Sequence, residues 1–110
     1  MNGMQIDSAE RGAWSVLSVT GEVDLATSPE LQNALDTALE GSTEVVIDLS
    51  QVTFLDSTGL GVLVRAHRRA GEQGARLRLV VTESTVRRVI DVTGLAGVFS
   101  LYDSLETAIR

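Results

Sequence analysis

Hydrophobic and polar positions recur along this chain with two different periods, and the changes of period mark its elements. Met4 to Ser8 and Trp14 to Thr20 read as strands, the second through Trp14, Val16, Leu17 and Val19. Gly12, with charged neighbours, suits a tight turn between them, so the pair predicts an antiparallel hairpin. Ser28 followed by Pro29 signals a helix start, and Thr27 with Glu30 offers a capping box one residue earlier. Leu31, Ala34, Leu35, Ala38 and Leu39 then keep the three-and-four spacing of one helical face, which Gly41 ends. Val45-Val46-Ile47 is a short β-branched run, as in a strand buried on both faces.

A second helix opens near Asp56 or Ser57, carries Leu60, Leu63, Val64 and His67 on one face, and runs to about Gly74. Leu77, Leu79, Val80 and Val81 form the next strand. Ser84 caps a short helix bearing Val86, Val89 and Ile90, and Gly94 stops it. Val98 to Tyr102 is a last short strand, and Asp103 with Glu106 makes a capping box for a final helix. Two strands followed by alternating helix and strand predict an α/β fold: a mainly parallel central sheet with an antiparallel N-terminal edge and helices packed against it.

Composition narrows the chemistry. A length of 110 residues predicts one domain spanning residues 1–110, and a hydrophobic fraction of 44% is ordinary for a packed core. The absence of cysteine excludes disulfides, thiol catalysis and thiolate metal sites. No basic segment followed by an apolar core opens the chain, and no apolar run has membrane-spanning length, so a soluble cytoplasmic protein is expected. All nine basic residues are arginine, which excludes a P-loop lysine, a Schiff-base lysine and a receiver-domain lysine.

Charge is divided unevenly. Residues 1–64 hold ten acidic side chains against Arg11, a balance of −9, whereas residues 65–110 hold eight arginines against five acids, a balance of +3. Arg65, Arg68, Arg69, Arg76 and Arg78 could be read as a nucleic-acid surface. Net charge of −6 and an aromatic content of 4% oppose that, and Arg68 with Glu72 fits a helical ion pair four residues apart on a solvated face.

The most informative stretch is Asp56-Ser57-Thr58-Gly59-Leu60-Gly61. Asp, Ser and Thr are the residues that satisfy the orphan amides of a first helical turn, and Ser57 lies where the helix dipole favours an anion. Gly59 and Gly61 each cost roughly 1 kcal/mol relative to alanine inside a helix. Two such costs at one site call for a compensating reason, such as close approach to the backbone.

Residues 52 to 63, Val-Thr-Phe-Leu-Asp-Ser-Thr-Gly-Leu-Gly-Val-Leu, closely resemble the phosphorylation-site motif of bacterial anti-sigma factor antagonists, small proteins made of a single STAS domain. Gly21-Glu22-Val23-Asp24 and Thr93-Gly94-Leu95 also resemble segments of that family. The resemblance implies the same central sheet flanked by helices. It makes Ser57 the phosphoacceptor, with Thr58 as second choice, and Asp24, Asp56, Thr58, Gly59 and Gly61 the residues that flank it and meet the partner. It also implies the partners: an anti-sigma factor with serine kinase activity, which the unmodified form binds so that the sigma factor is freed, and a metal-dependent phosphatase that resets the switch. No cofactor, metal, nucleic acid or membrane enters this scheme.

Other chemistries fit less well. Ser57 as an enzymatic nucleophile would need a base within hydrogen-bond reach. The single histidine, His67, lies ten residues along the same helix, about 15 Å away. Asp48, at a strand end, lacks the lysine and acidic cluster of an aspartyl-phosphate site. Gly59-Leu60-Gly61 alone is a weak phosphate- or nucleotide-binding signal. A STAS scaffold or nucleotide-binding regulatory module in a sensory complex remains the alternative role. Trp14 is expected in the core or anchoring an edge, and His67 at the margin of its helix face.

Overall fold

The computed structural model describes residues 3–110. Strands β1 (Met4–Arg11) and β2 (Trp14–Val23) pair antiparallel, with Arg11 opposite Trp14 around a two-residue turn. Gly12 has φ of 62°, the left-handed value that the first residue of such a turn requires. β1 extends three residues past Ser8, because Ala9 and Glu10 keep pairing with Val16 and Ser15 up to that turn. Parallel pairing then joins β2 to β3 (Glu44–Leu55), β3 to β4 (Arg76–Val80), and β4 to β5 (Ser100–Tyr102).

Strand order follows chain order, β1-β2-β3-β4-β5. Crossovers of one hand in such a sheet place their helices on one face. Leu31, Leu35 and Leu39 of α1 (Ser28–Gly41), Leu60 and Leu63 of α2 (Ser57–Glu72), and Val86 and Ile90 of α3 (Thr85–Val92) accordingly share one core with Val45, Ile47 and Leu79. Trp14, Val16, Val46 and Val80 form a smaller cluster on the opposite face beneath Ala108 of α4 (Leu105–Ala108). The α/β architecture expected from the pattern is the one observed.

Several boundaries differ from expectation, each for a local reason. β3 runs to Leu55, well beyond its apolar start, because residues past Asp48 pair with β2 alone. A one-sided strand exposes its other edge to water and tolerates Ser50, Gln51 and Thr53. Thr27 precedes α1 without forming a capping box with Glu30. Its hydroxyl instead accepts from the Asp24 amide and donates to the Glu22 carbonyl, both at 2.9 Å. At α4 the cap is Ser104, which accepts from the Thr107 amide at 3.2 Å, in place of the expected Asp103–Glu106 box. A short 3-10 turn at Leu95–Gly97 precedes β5, which starts at Ser100, two residues after Val98.

Arginines take more specific places than a solvated face implies. Arg69, not Arg68, makes the ion pairs of α2, reaching Asp36 at 3.0 Å and Glu40 at 3.9 Å across to α1. Among the described residues Arg68 and Glu72 form no ion pair. Arg78 lies between two aromatic rings, 4.6 Å from the centre of Trp14 and 4.9 Å from that of Tyr102. It donates to the carbonyls of Ala108 at 2.8 Å and Arg110 at 3.1 Å, which ties the C-terminal helix to the sheet. Truncation to Arg78→Ala removes stacking and two charged hydrogen bonds. It should cost about 2 kcal/mol in urea denaturation and speed exchange of the Ala108 and Ile109 amides, with little effect at Ser57.

Candidate functional site

The site is assembled at the carboxyl ends of β2 and β3, where the two strands hand over to α1 and α2. The Asp56 amide donates to the Val23 carbonyl at 3.1 Å, so the turn after β3 is pinned to the end of β2. Asp56 then caps α2 from an extended backbone. Its Oδ1 accepts from the amides of Thr58 at 2.9 Å and Gly59 at 3.1 Å, and from the Thr58 hydroxyl at 2.5 Å. The Asp56 carbonyl accepts from the Leu60 amide at 3.0 Å. The Thr58 hydroxyl above all, aided by the Gly59, Thr58 and Leu25 amides, holds the Asp56 carboxyl below its ordinary value against the opposing effect of burial.

Asp24 is brought to the same end of the sheet, as expected. Its Oδ1 accepts from the amides of Ala26 and Thr27, each at 3.0 Å, so the carboxylate shapes the loop into α1. Ser57 is exposed as the first residue of α2, and none of the hydrogen bonds among the described residues involves its Oγ. Thr58 is half-buried and its hydroxyl is committed to Asp56. The two candidate acceptors are therefore unequal: one hydroxyl is free at the surface and the other serves the helix cap.

The two glycines have different causes. Gly59 is buried, and a Cβ there would stand 2.6 Å from Leu55 Cδ1 and from Val23 Cγ1, and 3.2 Å from the Val23 carbonyl oxygen. The close approach anticipated for Gly59 thus comes from the protein's own strand ends. At Gly61 a Cβ would meet only Arg65 Nη1, at 3.3 Å.

His67 packs edge-on against Phe99, with ring centres 5.7 Å apart, and is not joined to Ser57. Trp14 is 5% exposed and belongs to the core. A cleft of about 760 Å³ lies between β1 and α1 among residues such as Met4, Ile6, Ala34 and Ala38. Ser57, Asp56 and Asp24 do not line it, and the serine is exposed at the surface. Among the described residues no group of three or more acidic or histidine side chains is placed to hold a metal ion, and no helix is long and apolar enough to cross a membrane. The sequence reading missed Leu25 and Phe54, which are 74% and 45% exposed. The Leu25 backbone amide is among the groups that lower the Asp56 carboxyl. An apolar residue inside the polar loop Asp24-Leu25-Ala26-Thr27 was the available signal.

A family model for the STAS domain matches residues 5–108. The chain belongs to the STAS family. Over 109 residues this STAS domain is 34% identical to the anti-sigma-F factor antagonist RsfB of Mycobacterium tuberculosis, covering 98% of this chain and 88% of the relative. It is 30% identical over 94 residues to the anti-sigma-B factor antagonist of Bacillus subtilis, covering 86% of each. A crystal structure of an anti-sigma factor antagonist from Mycobacterium paratuberculosis aligns with a TM-score of 0.89 at 33% identity, covering 97% of this chain and 92% of that one.

Two outcomes test this geometry. Gly59→Ala should destabilise the STAS domain by about 1–3 kcal/mol in chemical denaturation, because the added methyl meets packed side chains and backbone. Asp56 supplies stability that is full above its unfolded pKa and is lost as pH falls through its lower folded pKa. Acid titration should therefore show this contribution withdrawn only below about pH 4. Asp56→Asn, which keeps an accepting oxygen without the charge, should flatten that limb.

Proposed function

We propose that the protein is an anti-sigma factor antagonist whose binding is switched by phosphorylation of Ser57. Unmodified, it binds an anti-sigma factor and so frees the sigma factor. The anti-sigma factor doubles as a serine kinase that transfers the γ-phosphoryl of ATP to Ser57 Oγ, and a metal-dependent phosphatase reverses the step. The protein is ligand and substrate in this cycle, and no catalytic group of its own is required. It acts in the cytoplasm, through protein contacts alone.

One observation carries this reading: an exposed serine hydroxyl without a partner stands on a helix start whose neighbouring amides are already occupied. A phosphate adds about −1.5 to −2 charges. With the Thr58 and Gly59 amides bonded to the Asp56 carboxylate, two of the donors that would draw the added charge into the helix terminus are taken, and the phosphate stays at the surface. Its interaction with the helix dipole is worth roughly 0.3–1 kcal/mol, too little to unfold the domain. At an interface a poorly paired buried charge costs about 2–5 kcal/mol, or roughly 30- to several thousand-fold in affinity.

Incubation with candidate anti-sigma kinases and ATP, followed by mass spectrometry, should locate one phosphate on Ser57, and Ser57→Ala should remain unmodified. Wild type and Ser57→Ala should bind the anti-sigma factor alike. Ser57→Asp and the phosphorylated protein should stay folded by circular dichroism but bind at least about 30-fold more weakly. Equal binding by all forms would instead mark a passive scaffold, and phosphate on Thr58 would reassign the acceptor.

A further inference from the structure

Gly61 is a cost that the fold does not explain. A glycine inside a helix is a poorer choice than alanine, yet the only atom a Cβ would approach here is the terminal nitrogen of Arg65, the movable end of a long side chain. Gly59, two residues earlier, is required by Val23 and Leu55. No such internal neighbour stands over Gly61, so its bare backbone answers to something outside the chain.

Ser57, Gly61 and Arg65 follow one another at four-residue intervals along one flank of α2. Helical side chains lean toward the N-terminus, and Arg65 accordingly lies back over Gly61. Its Nε donates to Gln32 Oε1 of α1 at 3.2 Å, while its terminal nitrogens have no acceptor among the described residues. The nearby carboxylates are differently placed: Asp24 and Asp56 each use Oδ1 on their own chain's amides. The cation beside Gly61 is Arg65, and the complement of its free terminal nitrogens is a carboxylate. Exposed Leu25, on the loop that meets Asp56, extends the same surface with an apolar anchor.

We propose that Gly61 and Arg65 form a docking notch one turn beyond Ser57, where the anti-sigma factor lays its own main chain against the bare helix and sets a carboxylate on Arg65. This deepens, and rests on, the functional reading above. It also supplies a cause for release. Phosphate on Ser57 repels the partner's carboxylate and competes with it for Arg65.

The helix contains its own control. Gly71, in the last turn of α2, has nothing within 4 Å of its added Cβ and stands at the far end from Ser57. Purified full-length Gly61→Ala, Gly71→Ala and Arg65→Gln are titrated calorimetrically, alongside wild type, with each purified anti-sigma factor of the source bacterium. Both alanine variants should unfold at or above the wild-type temperature. Gly61→Ala should lose about ten- to a hundredfold in affinity through the intruding methyl, while Gly71→Ala binds as wild type does. Arg65→Gln should lose about tenfold and show a weaker salt dependence.

Gly61→Ala that binds within about twofold of wild type overturns the notch while leaving the functional reading intact. A lowered unfolding temperature in Gly61→Ala also overturns it, since an internal packing role would then explain the glycine. ATP bound by the protein alone and lost in Gly61→Ala would make the notch a nucleotide site and overturn the proposal. Wild-type protein that binds none of the anti-sigma factors overturns the functional reading first and the notch with it.

Discussion

The hydrogen bond from the Asp56 amide to the Val23 carbonyl is the constraint on which the site depends. It fixes the end of β3 against the end of β2 and so sets where α2 begins. From that anchored position the Asp56 carboxylate takes the Thr58 and Gly59 amides and the Thr58 hydroxyl, while its backbone carbonyl takes the Leu60 amide. A helix start has four amides without intrahelical partners, and here the Asp56 carboxylate takes two of them while the Val23 carbonyl takes a third, that of Asp56 itself. Ser57 is left as the side chain at the turn with nothing to hold, and its availability follows from Asp56's saturation. Gly59 makes the same junction possible from within, since any side chain there would push α2 away from Val23.

The sheet's topology explains why such a site lies on open surface. In doubly wound sheets the strand order reverses, and the diverging loops leave a crevice for ligands. This sheet never reverses, and its three crossover helices lie side by side on one face. A sheet without a reversal has no switch point to part the loops at its carboxyl ends. What the fold offers there is a display of loop and helix starts: Asp24, Leu25, Asp56 and Ser57. Such a surface suits recognition by another protein better than enclosure of a small molecule.

Local features of this arrangement were legible in the sequence, and long-range ones were not. A helix start at Asp56 or Ser57 and the apolar faces of α1 and α2 depend on neighbours within four residues, which is the range that spacing rules report. The distinction between Gly59 and Gly61 depends on Val23, more than thirty residues earlier, and on how a side chain at Leu55 folds back. The polar half of β3 was invisible for a related reason: its pairing with β2 alone is set by the sheet and not by its own pattern. Arg78 looked like one more surface cation until Trp14 and the C-terminal carbonyls closed around it. At Thr27 and at Asp103 a correct cap residue type was present, but a competing partner or an adjacent serine took the role.

Rigidity beneath the site decides how a new charge is felt. α1 and α2 are laced by Gln32 with Arg65, Asp36 and Glu40 with Arg69, and the Leu39 carbonyl with Gln73. Individually, half-exposed pairs of this kind contribute little stability, about 0–1 kcal/mol each. Their value here is geometric, since they fix the second half of α2, from Arg65 onward, against α1 between Gln32 and Glu40. A helix free to tilt could carry a phosphate away from a partner and blunt its effect. One laced to its neighbour and pinned at Val23 has no such relief. On the function proposed above, the energy of an added anion would then fall on whatever docks at the surface, so modification would register as a change of partner and not of shape.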